Sequence, residues 1–333
     1  MAMRLAVDVG HAAVKVAADH RLFHFPAWIA IAPVTVDLGK LNGVSPEVTI
    51  AEDDNSPTSY WIGEEAAHLA TPLWSEDKAA DPMTRALIYE GLRRADLPDG
   101  PVAVAVGLPL SWYGTHHGAL RDALLGRRVR VEVSNRRHTW QLTAVRVMPQ
   151  GVAAAGAAVA QGLCEQPGTY LIVDVGYRTV DLVVVSVDAY GALHGHPELS
   201  DTIATGWHVV DEAVLRGLRQ ATGGHYRPSQ VQGSSVVAYG KTLELARWRE
   251  PGIHALADEV TLAGQTGLAS IWPTLRAVVL VGGGGVGLAP AMEWGAVPVR
   301  VMTNAVYANA LGFYEAIRDT PVPLSITRQW AQG

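Results

Sequence analysis

The chain has 333 residues, 49% hydrophobic and 17% charged, with a formal net charge of −6. That length allows two domains with cores of their own, the composition excludes a disordered chain, and the acidic balance excludes a general nucleic-acid-binding surface. A single cysteine, Cys164, excludes an intrachain disulfide and fits a reducing compartment. The N-terminus runs straight into a strand, so no signal peptide is expected. The longest uncharged runs, such as Leu22 to Val36, are too short or too broken by Pro and Gly to span a bilayer. A cytoplasmic chain with no membrane partner is expected.

The first element is Leu5-Ala6-Val7-Asp8-Val9-Gly10-His11-Ala12-Ala13-Val14-Lys15-Val16-Ala17. Two apolar arms meet at an acid and a glycine, which predicts a hairpin over Met3 to Ala18. Backbone N–H groups facing outward from such a turn can hold phosphate oxygens. A carboxylate at its edge suits hydrated Mg²⁺, which needs only one or two carboxylates. Lys15 sits where a cation can reach a β- or γ-phosphate, although without the repeat the solvated strand lysine is the better reading.

Residues 21–80 read as an inserted lobe, with a turn at Asp53-Asp54-Asn55-Ser56-Pro57 and a strand entering a helix at Tyr60 to Ala66. Met83 to Ala95 has the spacing of an amphipathic helix. A buried strand, Val102 to Val106, leads to Gly107-Leu108-Pro109 and a short helix containing Leu120 and Leu124. Arg127 to Val147 alternates about Ser134-Asn135 and predicts a second hairpin. Its five arginines (Arg127, Arg128, Arg130, Arg136, Arg137) read as cationic gatekeepers of an edge rather than as a nucleic-acid patch.

Met148-Pro149-Gln150-Gly151 opens a helix of small residues ending near Gly162, with proline in the first turn. Gln150 is therefore placed near a helix N-terminus, where a neutral amide can orient a water. Spacing alone would make it a surface glutamine.

The second half begins with Leu171-Ile172-Val173-Asp174-Val175-Gly176-Tyr177-Arg178-Thr179-Val180-Asp181-Leu182, half a chain length after the first hairpin and built alike. Asp8-Val9-Gly10 matches Asp174-Val175-Gly176, and Val14 matches Val180. Thr179 adds a hydroxyl. His194-Gly195-His196 lies in a loop over 191–202, with no well-spaced third ligand for a metal. Thr205-Gly206-Trp207-His208 enters a helix, residues 220–235 are loop-like, and Val236 to Ala246 and Pro251 to Trp272 read as helices of a second inserted lobe. A buried strand, Ala277 to Val281, runs into Gly282-Gly283-Gly284-Gly285, where backbone can approach a ligand closely. Trp294 to Met302 returns as a strand, and Ala305 to Ile317 is a second small-residue helix. The repeated order of hairpin, buried strand and small-residue helix predicts two like-folded halves.

In this order the pieces resemble the superfamily of actin, the ATPase domain of heat-shock chaperones and sugar kinases. Gly107-Leu108-Pro109-Leu110-Ser111-x-Tyr113 and Ala308-Asn309-Ala310-x-Gly312-Phe313-Tyr314 are similar to signatures of the ParM/StbA group of plasmid-segregating actins and their archaeal relatives. The resemblance implies an α/β, duplicated actin-like (RNase H-like) fold with two lobes around a nucleotide cleft. Domain I would take residues 1–149 plus 315–333, and domain II residues 150–314 with an inserted lobe at about 207–272. It further implies hydrolysis of ATP, or GTP, with Mg²⁺ held largely through water by Asp8 and Asp174. Gln150 and Asp174 would be catalytic. Phosphates would meet Lys15 and the turns of Gly10, His11, Ala12, Ala13 and of Gly176, Tyr177, Arg178, Thr179, adenosine would meet Gly282, Gly283, Gly284 and Gly285, and Asp181 and Gly206 would also bind the nucleotide cofactor. The implied partners are further copies of the chain in a filament and a separate DNA-binding adaptor, with no direct nucleic-acid contact. Two departures from relatives stand out. Ala12-Ala13 lacks the small polar residues often present there, and Tyr177-Arg178 replaces Gly-Gly, placing Arg178 towards phosphate or a neighbouring subunit. The alternatives are a phosphotransferase, a nucleotide-gated adaptor that does not polymerise, and a cytoskeletal homologue not tied to DNA.

Overall fold

A computed structural model describes residues 3–19, 21–32, 47–66 and 81–320. It divides into two units, one formed by the chain up to Ala153 and again from Asn309, the other by Ala154–Ala308.

Among the described residues of the first unit nine strands form one mixed sheet: β1 (Met3–Val9), β2 (Ala13–Ala18), β3 (Arg21–Pro26), β4 (Ile29–Ile31), β5 (Val48–Glu52), β6 (Thr58–Ile62), β7 (Gly100–Leu108), β8 (Arg128–Val133) and β9 (Arg136–Pro149). Their order is β3-β2-β1-β7-β9-β8-β5-β6-β4. The central strands are buried on both faces, which explains why Val102 to Val106 is apolar without alternation. One face packs on the helix Pro82–Arg94, whose N-terminus is capped by Asp81 accepting from the Met83 and Thr84 N–H groups at 3.0 and 3.2 Å. On the other face Ala6, Ala17 and Ala105 leave room for Ala153, Ala310 and Phe313.

In the second unit β10 (Gly168–Val175), β11 (Val180–Val187), β12 (Leu193–Gly195), β13 (Asp201–Ile203), β16 (Leu275–Val281) and β17 (Val299–Val301) form a six-stranded sheet, and β14 (Ser235–Ala238) and β15 (Lys241–Glu244) a separate hairpin. Its main path is β12-β11-β10-β16-β17. The two sheets share a five-strand plan. In each, an antiparallel trio ends on the strand carrying the acid, and two parallel strands follow (β7 and β9, or β16 and β17). The duplication read from sequence is thus present in the topology.

Several expectations are corrected. The described strands between residues 21 and 62 are no separate lobe, because each joins the first sheet by backbone pairing; residues 33–46 and 67–80 lie outside the described residues. The helix before β8 is fifteen residues long, Leu110–Leu124, rather than short. Strands β8 and β9 each have a sheet neighbour on both sides, so the arginines of this hairpin are not edge gatekeepers. Arg127 instead pairs with Asp53 at 2.6 Å, and Arg137 with Glu132 at 3.6 Å. The stretch 191–202 contributes two short strands, both paired to β11. Val236 to Ala246 is mostly a hairpin, because Tyr239 and Gly240 take positive φ (48° and 75°) and reverse the chain. The following helix starts at Ala246, not at Pro251, and runs to Gly267 with the proline inside it. Only Val299–Val301 of the stretch 294–302 is strand. Among the described residues no helix is long and apolar enough to cross a membrane.

Candidate functional site

The β1–β2 ladder ends at Val9 opposite Val14, and beyond it the Gly10 N–H donates to the Ala13 carbonyl at 3.1 Å. Asp8 and Lys15 face each other one pair earlier, with Lys15 Nζ 3.3 Å from Asp8 Oδ2. Asp8 is buried and Lys15 nearly so, at 4% and 16% side-chain exposure, so this pair is only weakly screened. A β-carbon at Gly10 would stand 2.6 Å from Lys15 Nζ, so glycine leaves space for the ammonium group. Ala12 contributes its carbonyl, which accepts the Ala27 N–H at 3.0 Å, and the half-buried His11 ring meets Trp112 edge-on at 6.5 Å.

Gln150 joins this cluster from far along the chain. Pro149 closes the parallel β7–β9 ladder opposite Leu108, and the Gln150 N–H donates to the Leu108 carbonyl at 2.8 Å. Proline therefore ends a strand here rather than opening a helix, and the helix begins at Val152. The Gln150 side-chain amide donates to Asp8 Oδ1 at 2.6 Å. The next residue, Gly151, has φ +74° and donates its N–H to the buried Asn309 Oδ1 at 2.9 Å. A β-carbon at Gly312 would lie within the Ala153 carbonyl, and one at Gly107 within the Phe313 ring. Asn309, Gly312, Phe313 and Gly107 thus support the turn that carries Gln150, a role the sequence reading did not give them. Their signal was present in the two quoted signature stretches.

The second hairpin repeats the first. Val175 pairs with Val180, and the Gly176 N–H donates to the Thr179 carbonyl at 3.0 Å. Directly across the ladder from Asp174 stands Asp181 where the first hairpin has lysine. Both acids are buried, at 7% and 4% exposure, and the Thr202 hydroxyl donates to Asp181 Oδ1 at 2.6 Å. Two carboxylates on one sheet face with a hydroxyl beside them form an all-oxygen donor set, which fits hydrated Mg²⁺. Among the described residues no group of three or more His, Cys, Asp or Glu could hold a metal. His194 and His196 hydrogen-bond instead to Asp188, Ser186 and Glu198.

The glycine run lies against the same hairpin. The Gly282 N–H donates to the Ala305 carbonyl and the Gly284 N–H to the Val175 carbonyl, both at 2.9 Å. Gly282 has φ +82°, and a β-carbon there would stand 2.3 Å from Asp174 Oδ1, so no other residue fits. Trp207 packs its indole on Gly284 and Gly287, and Gly206 packs its backbone on Tyr177 and Arg178. Arg178 and Thr179 are half-buried at the turn. The second unit therefore gathers Asp174, Asp181, the turn 176–179, Gly206 and Gly282–285. The first gathers Asp8, the turn 10–13, Lys15 and Gln150. Trp207, Thr202 and Thr205, whose hydroxyl donates to Glu259 at 3.1 Å, were not singled out by sequence reasoning.

Residues 6–152 match the family model described as the actin-like proteins N-terminal domain, and residues 172–293 match that of the archaeal actin homologue MreB-like C-terminal domain. An archaeal actin homolog of Thermoplasma acidophilum is 24% identical over 229 residues, covering 66% of this chain and 67% of the relative. One of Thermoplasma volcanium is 25% identical over 191 residues, covering 55% and 57%. Among solved structures, the crystal structure of an archaeal actin homolog superimposes with a TM-score of 0.82 at 21% identity, over 96% of this chain and all of the other. A 15-stranded ParM filament from Clostridium botulinum gives 0.81 at 17% identity, over 95% and 99%. At these identities the superpositions show the fold alone.

Proposed function

We propose that this chain, whose two halves match models of actin-like domains, hydrolyses ATP or GTP and polymerises into nucleotide-dependent filaments that segregate plasmid or other DNA in the cytoplasm through a separate DNA-binding adaptor. The observation that carries this reading is the repeated hairpin. Each copy holds a buried acid, then a glycine whose N–H closes the turn at 3.1 or 3.0 Å. The fold's relatives support it, since an archaeal actin homolog was solved with ADP and a Bacillus thuringiensis ParM with ATP.

In this reading the turns 10–13 and 176–179 receive phosphate oxygens on backbone N–H groups, and Lys15 adds a positive charge. Gln150 has its amide nitrogen committed to Asp8. Its side-chain carbonyl is left as the acceptor that orients an attacking water, with no need for the group to act as a base. Asp8 and Asp174 hold hydrated Mg²⁺, with Asp181 beside Asp174; when bound, the ion neutralises phosphate charge. Gly206 and the backbone at Gly282–Gly285 take the nucleoside. Rate enhancement then comes from positioning and fixed charge.

Light scattering of the purified chain with Mg²⁺ and ATP, ADP, GTP or a non-hydrolysable analogue tests this directly, beside an Asp174→Ala control. A rise with ATP that decays as phosphate is released, absent in the control, is expected. Tight nucleotide binding without any rise at any protein concentration would remove the filament from the reading.

A further inference from the structure

The acid of the second hairpin stands in a row of three side chains that crosses the sheet. Asp174 on β10 pairs with Asp181 on β11, and Asp181 pairs on its other side with Thr202 on β13. Residues directly opposite in an antiparallel ladder share a face, with Cβ atoms about 4.5–5.5 Å apart. The three side chains therefore stand side by side, with Asp181 in the middle. The first hairpin has the same row made of other residues: Asp8, Lys15 and His24. There the middle residue is a cation that reaches the acid itself, at 3.3 Å. In the second hairpin the middle residue is a carboxylate, and the third residue supplies a hydroxyl to it.

Thr202 Oγ1 donates to Asp181 Oδ1 at 2.6 Å, the length of a charge-assisted O–H···O⁻ bond. The terminal torsion of an aspartate is broad, so the plane of its carboxylate is set by its partners rather than by rotamer preference. Threonine, β-branched, is stiff at χ1 and brings its hydroxyl to a fixed place. Asp181 is buried, so water competes little for that bond. The segment after β13 grips the same hairpin at its turn. The Trp207 N–H donates to the Gly176 carbonyl at 3.0 Å, and His208 donates its backbone N–H and ring Nδ1 to the Tyr177 carbonyl at 2.8 and 2.9 Å. Thr202 is thus held in register with Asp181 from both ends of one short segment.

We propose that Thr202 is a positioning residue for the nucleotide's hydrated divalent cation: its hydroxyl sets the plane of the Asp181 carboxylate, so that Asp181 and Asp174 present oxygens together to the waters of the ion. This rests on the phosphate-hairpin reading above, which gives Mg²⁺ to these acids, and adds the group that fixes their geometry. A hydrogen-bond partner behind a metal-binding carboxylate orients it, and losing such a partner typically lowers metal affinity about 10- to 100-fold. An ion held through water belongs at the low end of that range.

The test uses the full chain with Thr202→Val, Thr202→Ser, Asp181→Asn and the Thr202→Val/Asp181→Asn pair. Affinity for a fluorescent ATP analogue is measured on each with saturating Mg²⁺ and again in EDTA, beside the melting temperature without metal. The quantity read is the factor by which Mg²⁺ tightens binding. Thr202→Val keeps the shape and loses the hydroxyl, so this factor is expected to fall about tenfold while affinity in EDTA stays near wild type. Thr202→Ser restores the donor and should restore the factor. In the Asp181→Asn background, Thr202→Val should lower it no further, because the hydroxyl acts through Asp181. Thr202→Ala is read in the same way if Thr202→Val does not fold. A wild-type factor in Thr202→Val overturns the positioning role and leaves the phosphate reading standing. Equal losses with Mg²⁺ and in EDTA, not rescued by serine, overturn it as well and make Thr202 a strand residue only. A wild-type chain whose nucleotide binding ignores Mg²⁺ overturns the inference and its metal premise, and one that binds no nucleotide overturns the hairpin reading too.

Discussion

Gln150 donates its side-chain amide to Asp8 at 2.6 Å across 142 residues of chain. The bond fixes one end of the glutamine and so aims the other, which is what positioning a water requires. Gln150→Ala is expected to reduce phosphate release about 10²-fold while leaving ATP affinity within a few-fold of wild type. Single-turnover release beside equilibrium binding separates the two. Equal losses in both would place Gln150 in binding rather than in hydrolysis.

Removing Lys15 leaves a buried carboxylate with Gln150 as its remaining named partner. Breaking a buried pair from one side costs about 3–5 kcal/mol, and the retained hydrogen bond puts Lys15→Met near about 3 kcal/mol. Adding Asp8→Asn removes the stranded charge and should recover much of that stability. Urea denaturation of the two variants measures it, and an additive pair would show that the contact contributes nothing.

At Gly107 a β-carbon would overlap the Phe313 ring. Gly107→Ala is therefore expected to destabilise the first unit by about 1–3 kcal/mol through overpacking. Phe313→Leu added to it should relieve part of the loss, although Phe313→Leu alone destabilises. Thermal melts of the three variants decide this by the sign of the coupling.

Asp211 gives a pH dependence of known sign. Burial raises its pKa above 3.8, opposed by hydrogen bonds from Gln232 and Tyr177 and by the charges of Arg249 and His208. The folded chain therefore binds this proton more tightly than the unfolded chain does. Its contribution to stability grows as pH falls through the raised pKa, levels off below 3.8 and is lost as pH rises. Asp211→Asn should flatten this part of the stability–pH curve between 3.8 and neutrality. A difference curve between the two proteins that is flat across that window would show that the shift is absent.

Tyr239 sits at an exposed turn with φ 48°, a left-handed conformation that asparagine adopts at less cost than tyrosine. Tyr239→Asn is expected to stabilise the second unit by about 0.5–1 kcal/mol. A lower melting temperature for the variant would mean that the ring makes a stabilising contact.

The acid hairpins were legible because their signal is local. Two apolar arms, a glycine and an acid within a dozen residues suffice to predict strand, turn and buried carboxylate. Elements with competing local signals were misread. Val236 to Ala246 carries helix-compatible residues, and the turn at Tyr239-Gly240 is one that tyrosine rarely makes. Pro251 reads as a helix start, yet in the structure the helix begins at Ala246 and carries the proline within it. The arginines of β8 looked like edge residues because sequence does not say which strands flank a strand.

By itself the sequence determined the duplicated plan, the two acid-glycine turns and the glycine run, since each depends on residue type at short spacing. Tertiary structure alone decided that Lys15 faces Asp8 while Asp181 faces Asp174, because register sets which side chains meet across a ladder. It also decided that Gln150 reaches Asp8, that Gly282 gives way to Asp174, and that His208 donates to the Tyr177 carbonyl. Those contacts join residues far apart in the chain, and only packing, acting on whole elements at once, brings them within hydrogen-bond range.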